Sequence, residues 1–194
     1  MNICYYGRMR VDGIRKDNLA MNNFLKKKAW WDSLHTDLQE LLMESFFLID
    51  ALQSPGKLAT SQARLAFRDY AFVVFPAAKA YEGFLKTLFL DLGFISKEDF
   101  FGKRLRIGKI LNPFLETRIR EKEGVYDKIV EYCGGSRLAD TLWDTWKTCR
   151  NLLFHWFPNE KNAVDFNEAK MLVEKIINTI DLAFKECKID RVEQ

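Results

Sequence analysis

The sequence predicts an all-α fold, a helical bundle that includes one long helix bent at a proline. Three observations carry this expectation. Apolar residues recur three and four apart through several long runs. No stretch of any length alternates apolar and polar residues as a strand would. Sixteen Phe and five Trp stand against only four Pro and ten Gly, a composition suited to packed helices rather than to many turns. The chain has 194 residues, 48% of them hydrophobic, enough for one sizeable core and too many for disorder. We expect an irregular extension over residues 1–29 and a single helical domain over residues 30–194.

The elements follow in order. Residues 1–29 hold Gly7, Gly13, scattered charges and Lys26-Lys27-Lys28, and read as a solvated lead. A helix is expected over 32–53, where Leu34, Leu38, Leu41, Leu42, Phe46 and Ile49 form the apolar face and Ser54-Pro55-Gly56 ends the run. A long helix over 59–92 should close at Gly93. Pro76 inside it removes one backbone bond and crowds the carbonyl four residues earlier, which predicts a kink near Phe72. The kink would tilt Tyr81 and Glu82 toward the helix that follows Gly134-Gly135.

Shorter elements fill 96–135. Ser96-x-x-Asp99 has the form of a helix start, 104–111 of a turn of helix, and Pro113 of an opening toward Lys122. Positive charge concentrates here, on Lys103, Arg104, Arg106, Lys109, Arg118, Arg120 and Lys122, the segment best suited to face phosphate. A further helix is expected over 136–157, with Ser136 as N-cap, Pro158 as stop, and Leu138, Leu142, Trp146, Cys149, Leu153 and Trp156 on its apolar side. The last, over 166–185, carries Ala169, Leu172, Val173, Ile176, Ile177, Ile180 and Phe184 as one stripe.

Several function classes find no support. Net charge is +3 with a pI near 8.6, which permits contact with nucleic acid without arguing for it. Cys4, Cys133, Cys149 and Cys187 lack CxxC spacing, so neither a zinc site nor a disulfide framework is expected. No apolar run precedes a cleavage-type site and no stretch of about 20 apolar residues occurs, so the expectation is a cytoplasmic protein without a membrane span. There is no glycine-rich phosphate loop and no nucleophile elbow. With His35 and His155 the only histidines and no carboxylate pair at ligand spacing, neither metal nor cofactor is expected.

The chemistry concentrates in Arg150-Asn-Leu-Leu-Phe-His155. Arginine is permanently charged and histidine titrates nearest neutrality, so together they suit phosphodiester chemistry: one group moves a proton, the other neutralises phosphate. At about 100° per residue Arg150 falls among Trp143, Trp146 and Leu153, mid-way across the apolar arc. A guanidinium there needs a carboxylate, a stacked aromatic or a ligand. Five residues of ideal helix would separate Arg150 and His155 by roughly 140°. To share a site, the helix must loosen toward Pro158, the arginine must reach around, or two chains must combine.

This segment resembles the motif of the HEPN superfamily, Arg followed after four to six residues by His, with a polar residue such as Asn151 directly after the Arg. A second segment, Ala80-Tyr-Glu-Gly-Phe-Leu-Lys86, is similar to one in the catalytic domain of the RnlA/LsoA ribonuclease toxins, where a Glu joins the Arg and His. The likeness spans roughly residues 33–187, and those toxins carry further domains ahead of the catalytic one. It implies a HEPN-like bundle, paired as a homodimer so that two motifs face each other, acting as a metal-independent endoribonuclease on single-stranded RNA. A toxin or antiphage effector, with a cognate antitoxin as a partner, is the corresponding setting. Arg150, His155 and Glu82 would be catalytic, and Asn151, Lys86 and Lys147 would bind substrate. The aromatics Trp143, Trp146, Phe154 and Trp156 around the motif have the composition of an interface. The bland alternative is a catalytically silent helical interaction or RNA-binding module, in which Arg150 and Glu82 form an internal pair and Glu82–Lys86 is an ordinary helix pair.

Overall fold

A computed structural model describes residues 23–53, 67–156, 158 and 162–187. The expectations for residues 1–22, for the Ser-Pro-Gly stop after 53 and for a helical stretch over 59–66 lie outside them. Among the described residues every regular element is helical. The principal helices are α1 (Thr36–Gln53), α2 (Ala71–Asp91), α3 (Lys97–Phe101), α4 (Ile107–Ile110), α5 (Thr117–Glu123), α6 (Tyr126–Cys133), α7 (Arg137–Trp146) and α8 (Phe166–Glu186). A 3-10 turn, Trp31–Ser33, precedes α1, and a π-helical turn, Lys147–Asn151, extends α7.

α2 is the central element, packed against α1, α8 and the end of α7. Its sequence is apolar nearly all round, as expected of a helix enclosed by others, and Val73, Val74, Ala77, Tyr81, Leu85 and Phe89 are fully buried. The Tyr81 hydroxyl donates to the Leu142 carbonyl of α7 at 3.0 Å, which satisfies the one polar atom of that ring in the core. Gly83 lets α1 approach, because a Cβ there would run into the Leu38 side chain. Gly93, at φ +69°, closes the helix as expected, since a left-handed residue costs glycine least.

The long helix differs from expectation at its start. Residues 67–70 are not helical and α2 begins at Ala71, so Pro76 lies in its second turn and Phe72 is not mid-helix. Asp69 sets this start: its Oδ1 accepts from the backbone N–H of Ala71 at 3.0 Å and of Val164 at 3.2 Å, tying the helix to the loop before α8. Beside Pro76, the N–H of Ala77 donates to the buried Ser45 hydroxyl of α1 at 2.9 Å.

Further boundaries change: α1 starts at Thr36 rather than at residue 32. α7 and its π-turn end at Asn151, well before Pro158. Ser136 precedes α7 as expected, but its side chain makes no capping bond. α5 starts at Thr117 and Pro113 lies in the preceding turn; only Ile107–Ile110 of 104–111 is helical. Ser96 and Asp99 form the expected reciprocal capping box, and Asp165 with Glu168 makes a second one at the head of α8. Of the expected solvated lead, residues 23–29 are mostly exposed, but Leu25 is fully buried, Lys28 pairs with Asp181 at 2.6 Å, and the Trp30 indole donates to the same carboxylate. No helix among the described residues is long and apolar enough to cross a membrane.

Candidate active site

On α2 the exposed Phe72, Phe75 and Lys79 and the half-buried Glu82 and Lys86 recur three and four apart. They make one stripe, aromatic at its start and charged toward its end. The π-turn that carries Arg150 lies alongside α2. Its signature is the bond from the Leu152 N–H to the Lys147 carbonyl, five residues back, at 2.9 Å. The wide turn rotates each later side chain from where an α-helix would place it. Cys149 remains fully buried and Leu153 nearly so, while the Arg150 side chain keeps 38% of its surface in solvent. This corrects the expectation of an arginine in the middle of an apolar arc.

Arg150 meets two of its three expected needs. Its Nη2 lies 3.4 Å from Glu82 Oε2, and its guanidinium stands 5.1 Å from the ring centroid of buried Trp146. Glu82 also faces Lys86, whose Nζ is 3.8 Å from Oε1. One carboxylate therefore serves two cations, and the trio keeps a residual positive charge. Lys86 and Glu82 also border a groove of 540 Å³ between α1 and α2, whose other charged walls are Asp37, Glu40, Glu44 and Lys79. That acid excess makes the Lys86 side of the trio a poor seat for phosphate and leaves Arg150 as the better one.

The remaining expected site residues sit on the turn and just beyond it. Lys147 is exposed and Asn151 half-buried within the π-turn. His155 is exposed after the turn 152–154, and its backbone carbonyl accepts from Asn162 Nδ2 at 3.0 Å. The same amide reaches the Leu152 carbonyl at 3.4 Å, so Asn162 clamps both ends of the exit loop. The structure thus brings Glu82, Lys86 and Arg150 together and sets His155 on the segment leaving them. Of the aromatics expected at an interface, Trp146 belongs to the core, whereas Trp156 is 83% exposed. Phe154 is half-buried and meets Phe75 edge-on at 5.4 Å.

Phe67, Phe72, Phe75 and the clamp Asn162 were not singled out by sequence. The signal for Phe72 and Phe75 was available: they continue the three-four spacing of Lys79, Glu82 and Lys86. Cys149, next to Arg150, is no nucleophile, because burial pushes its thiol up to about 11. Among the described residues no group of three or more His, Cys, Asp and Glu side chains could hold a metal ion. No protein-family model, curated protein or solved structure matches this chain.

Proposed function

We propose that the chain is a HEPN-type endoribonuclease that cuts single-stranded RNA without a metal ion, in the cytoplasm, as a toxin or defence effector. The observation that carries the reading is Arg150: a guanidinium fixed by Glu82 and Trp146 yet open to solvent, on the turn that leads to an exposed histidine. In this reading His155 transfers a proton at the 2′-hydroxyl or at the leaving 5′-oxygen. The 2′-oxygen attacks phosphorus, the bond to the 5′-oxygen breaks, and the products are a 2′,3′-cyclic phosphate and a 5′-hydroxyl. Arg150 stabilises the charged phosphorane, Glu82 orients Arg150, and Asn151 and Lys147 position the phosphate.

Two copies complete the cleft. Phe67, Phe72, Phe75 and Trp156 are 42%, 38%, 54% and 83% exposed, a concentration of aromatic surface on α2 and beside the RNLLFH segment that pairing would cover. An antitoxin could occupy the same cleft. The test is the full chain with His155→Ala, assayed on single-stranded RNA with and without EDTA. The variant should fold and lose at least about 10²-fold in cleavage, as loss of a general acid–base group does. Unchanged cleavage, cleavage of DNA, or activity abolished by EDTA would overturn the proposal.

A further inference from the structure

Away from the Glu82–Arg150 pair, positive charge gathers on one segment. Residues 103–122 hold seven basic side chains against two acidic ones, Glu116 and Glu121, a net of +5 in a chain whose total is +3. Two of the cations are neutralised, Lys109 by Glu123 at 2.6 Å and Arg120 by Asp127 at 2.8 Å. Lys103, Arg104, Arg106 and Arg118 are exposed and make no ion pair among the described residues. Among them stand two of the most open aromatic rings of the described chain, Phe101 at 79% and Phe114 at 83% exposure.

This segment and Arg150 both contact the buried ring of Trp146. Gly108 in α4 rests against the Trp146 indole so closely that a Cβ would stand 2.7 Å from its Nε1. The Arg150 guanidinium lies over the same ring. Both therefore contact one indole, and Arg106 and Lys109 lie within two residues of the glycine that touches it. Open aromatic rings interleaved with unpaired cations are the composition that holds a single strand, with bases on the rings and phosphates on the cations.

We infer that residues 101–118 form a track for single-stranded nucleic acid that feeds Arg150, with bases stacked on Phe101 and Phe114 and phosphates on Lys103, Arg104, Arg106 and Arg118. That the strand is RNA rests on the ribonuclease reading; the track itself does not. The experiment measures fluorescence anisotropy of labelled oligouridine with the full chain carrying His155→Ala, to prevent cleavage, over a salt series. Adding Phe114→Ala should weaken binding by roughly five- to a hundredfold, the typical effect of removing one stacking ring. Adding Arg104→Ala with Arg106→Ala should lower the slope of log affinity against log salt by about 0.7 for each phosphate no longer neutralised. All these positions are exposed, so unchanged melting temperatures will show that the variants fold.

Affinity and salt slope unchanged in both variants overturn the inference. So does binding to phosphatidylserine vesicles without binding to oligouridine, which would make the segment a membrane contact. The two proposals fail separately. If track variants lose binding but Arg150→Ala cleaves normally, the track stands and the ribonuclease mechanism falls. If cleavage needs Arg150 while the track variants bind as before, the reverse holds.

Discussion

Replacing Arg150 by Ala separates the catalytic from the structural reading, and its cost can be worked from the geometry. The guanidinium makes one ion pair, at the long distance of 3.4 Å, between side chains that are 38% and 29% exposed. Pairs this wet are worth about 0.2–1 kcal/mol, well below the cost of breaking a buried one. The contact with Trp146, at 5.1 Å, adds about 0.5–1 kcal/mol. Arg150→Ala should therefore lose about 1–2 kcal/mol, or roughly 2–8 °C in melting temperature for a chain of this length. RNA cleavage should fall by roughly 10²–10³-fold if the guanidinium stabilises the phosphorane. Calorimetry and a cleavage assay on one preparation measure both. A variant that fails to unfold cooperatively, or one that melts slightly lower but cleaves RNA as before, would refute the reasoning.

Three further outcomes follow from the structure. Phe75→Glu, which puts a charge on the exposed aromatic stripe, should shift the sedimentation mass from dimer to monomer at micromolar concentration; a wild-type chain that is already monomeric would count against the paired cleft. Ser45→Ala removes the hydroxyl that accepts from the buried N–H of Ala77 and should cost about 0.5–1.5 kcal/mol in urea unfolding, whereas a neutral effect would mean that the bond adds nothing to the helix's own ladder. Cys149 has its thiol pushed up to about 11 by burial, so the folded chain holds that proton longer than the unfolded one. Stability should then be unaffected below the ordinary thiol range and fall as pH rises from there toward 11; in Cys149→Ala that part of the fall should vanish when melting is followed between pH 8 and 11.

The parts of the fold legible in the sequence are those that local chemistry dictates. The stripe on α8 and the core face of α1 follow from apolar spacing, and Ser96 with Asp99 reads as a capping box because both bonds close within three residues. The start of α2 was not legible, since Asp69 gains its second bond from Val164, ninety-five residues away. Leu25 carried no signal either: a lone apolar pair in a charged stretch has no periodicity, yet it is fully buried. At the site, the need of Arg150 for a carboxylate and an aromatic could be stated from sequence, and Glu82 and Trp146 meet it. Its exposure could not, because a rotation of 100° per residue assumes an α-helix and Lys147–Asn151 is not one.

The π-turn makes this site sensitive to length. Arg150 is anchored from upstream, by Glu82 on another helix and by Trp146 four residues before it, whereas the backbone of His155 is held from downstream, by Asn162. Each residue added or removed between them changes where the imidazole is carried relative to the guanidinium, because only the turn over residues 152–154 links the π-turn to His155. A single deletion after Arg150 would let the backbone ladder fall back from the five-residue bond at Leu152 to the ordinary four-residue one, straightening the helix and turning the histidine away. Insertions and deletions, more than substitutions, are the genetic changes that would retune this pair, and the wide turn is the place where a helix can absorb one without unravelling.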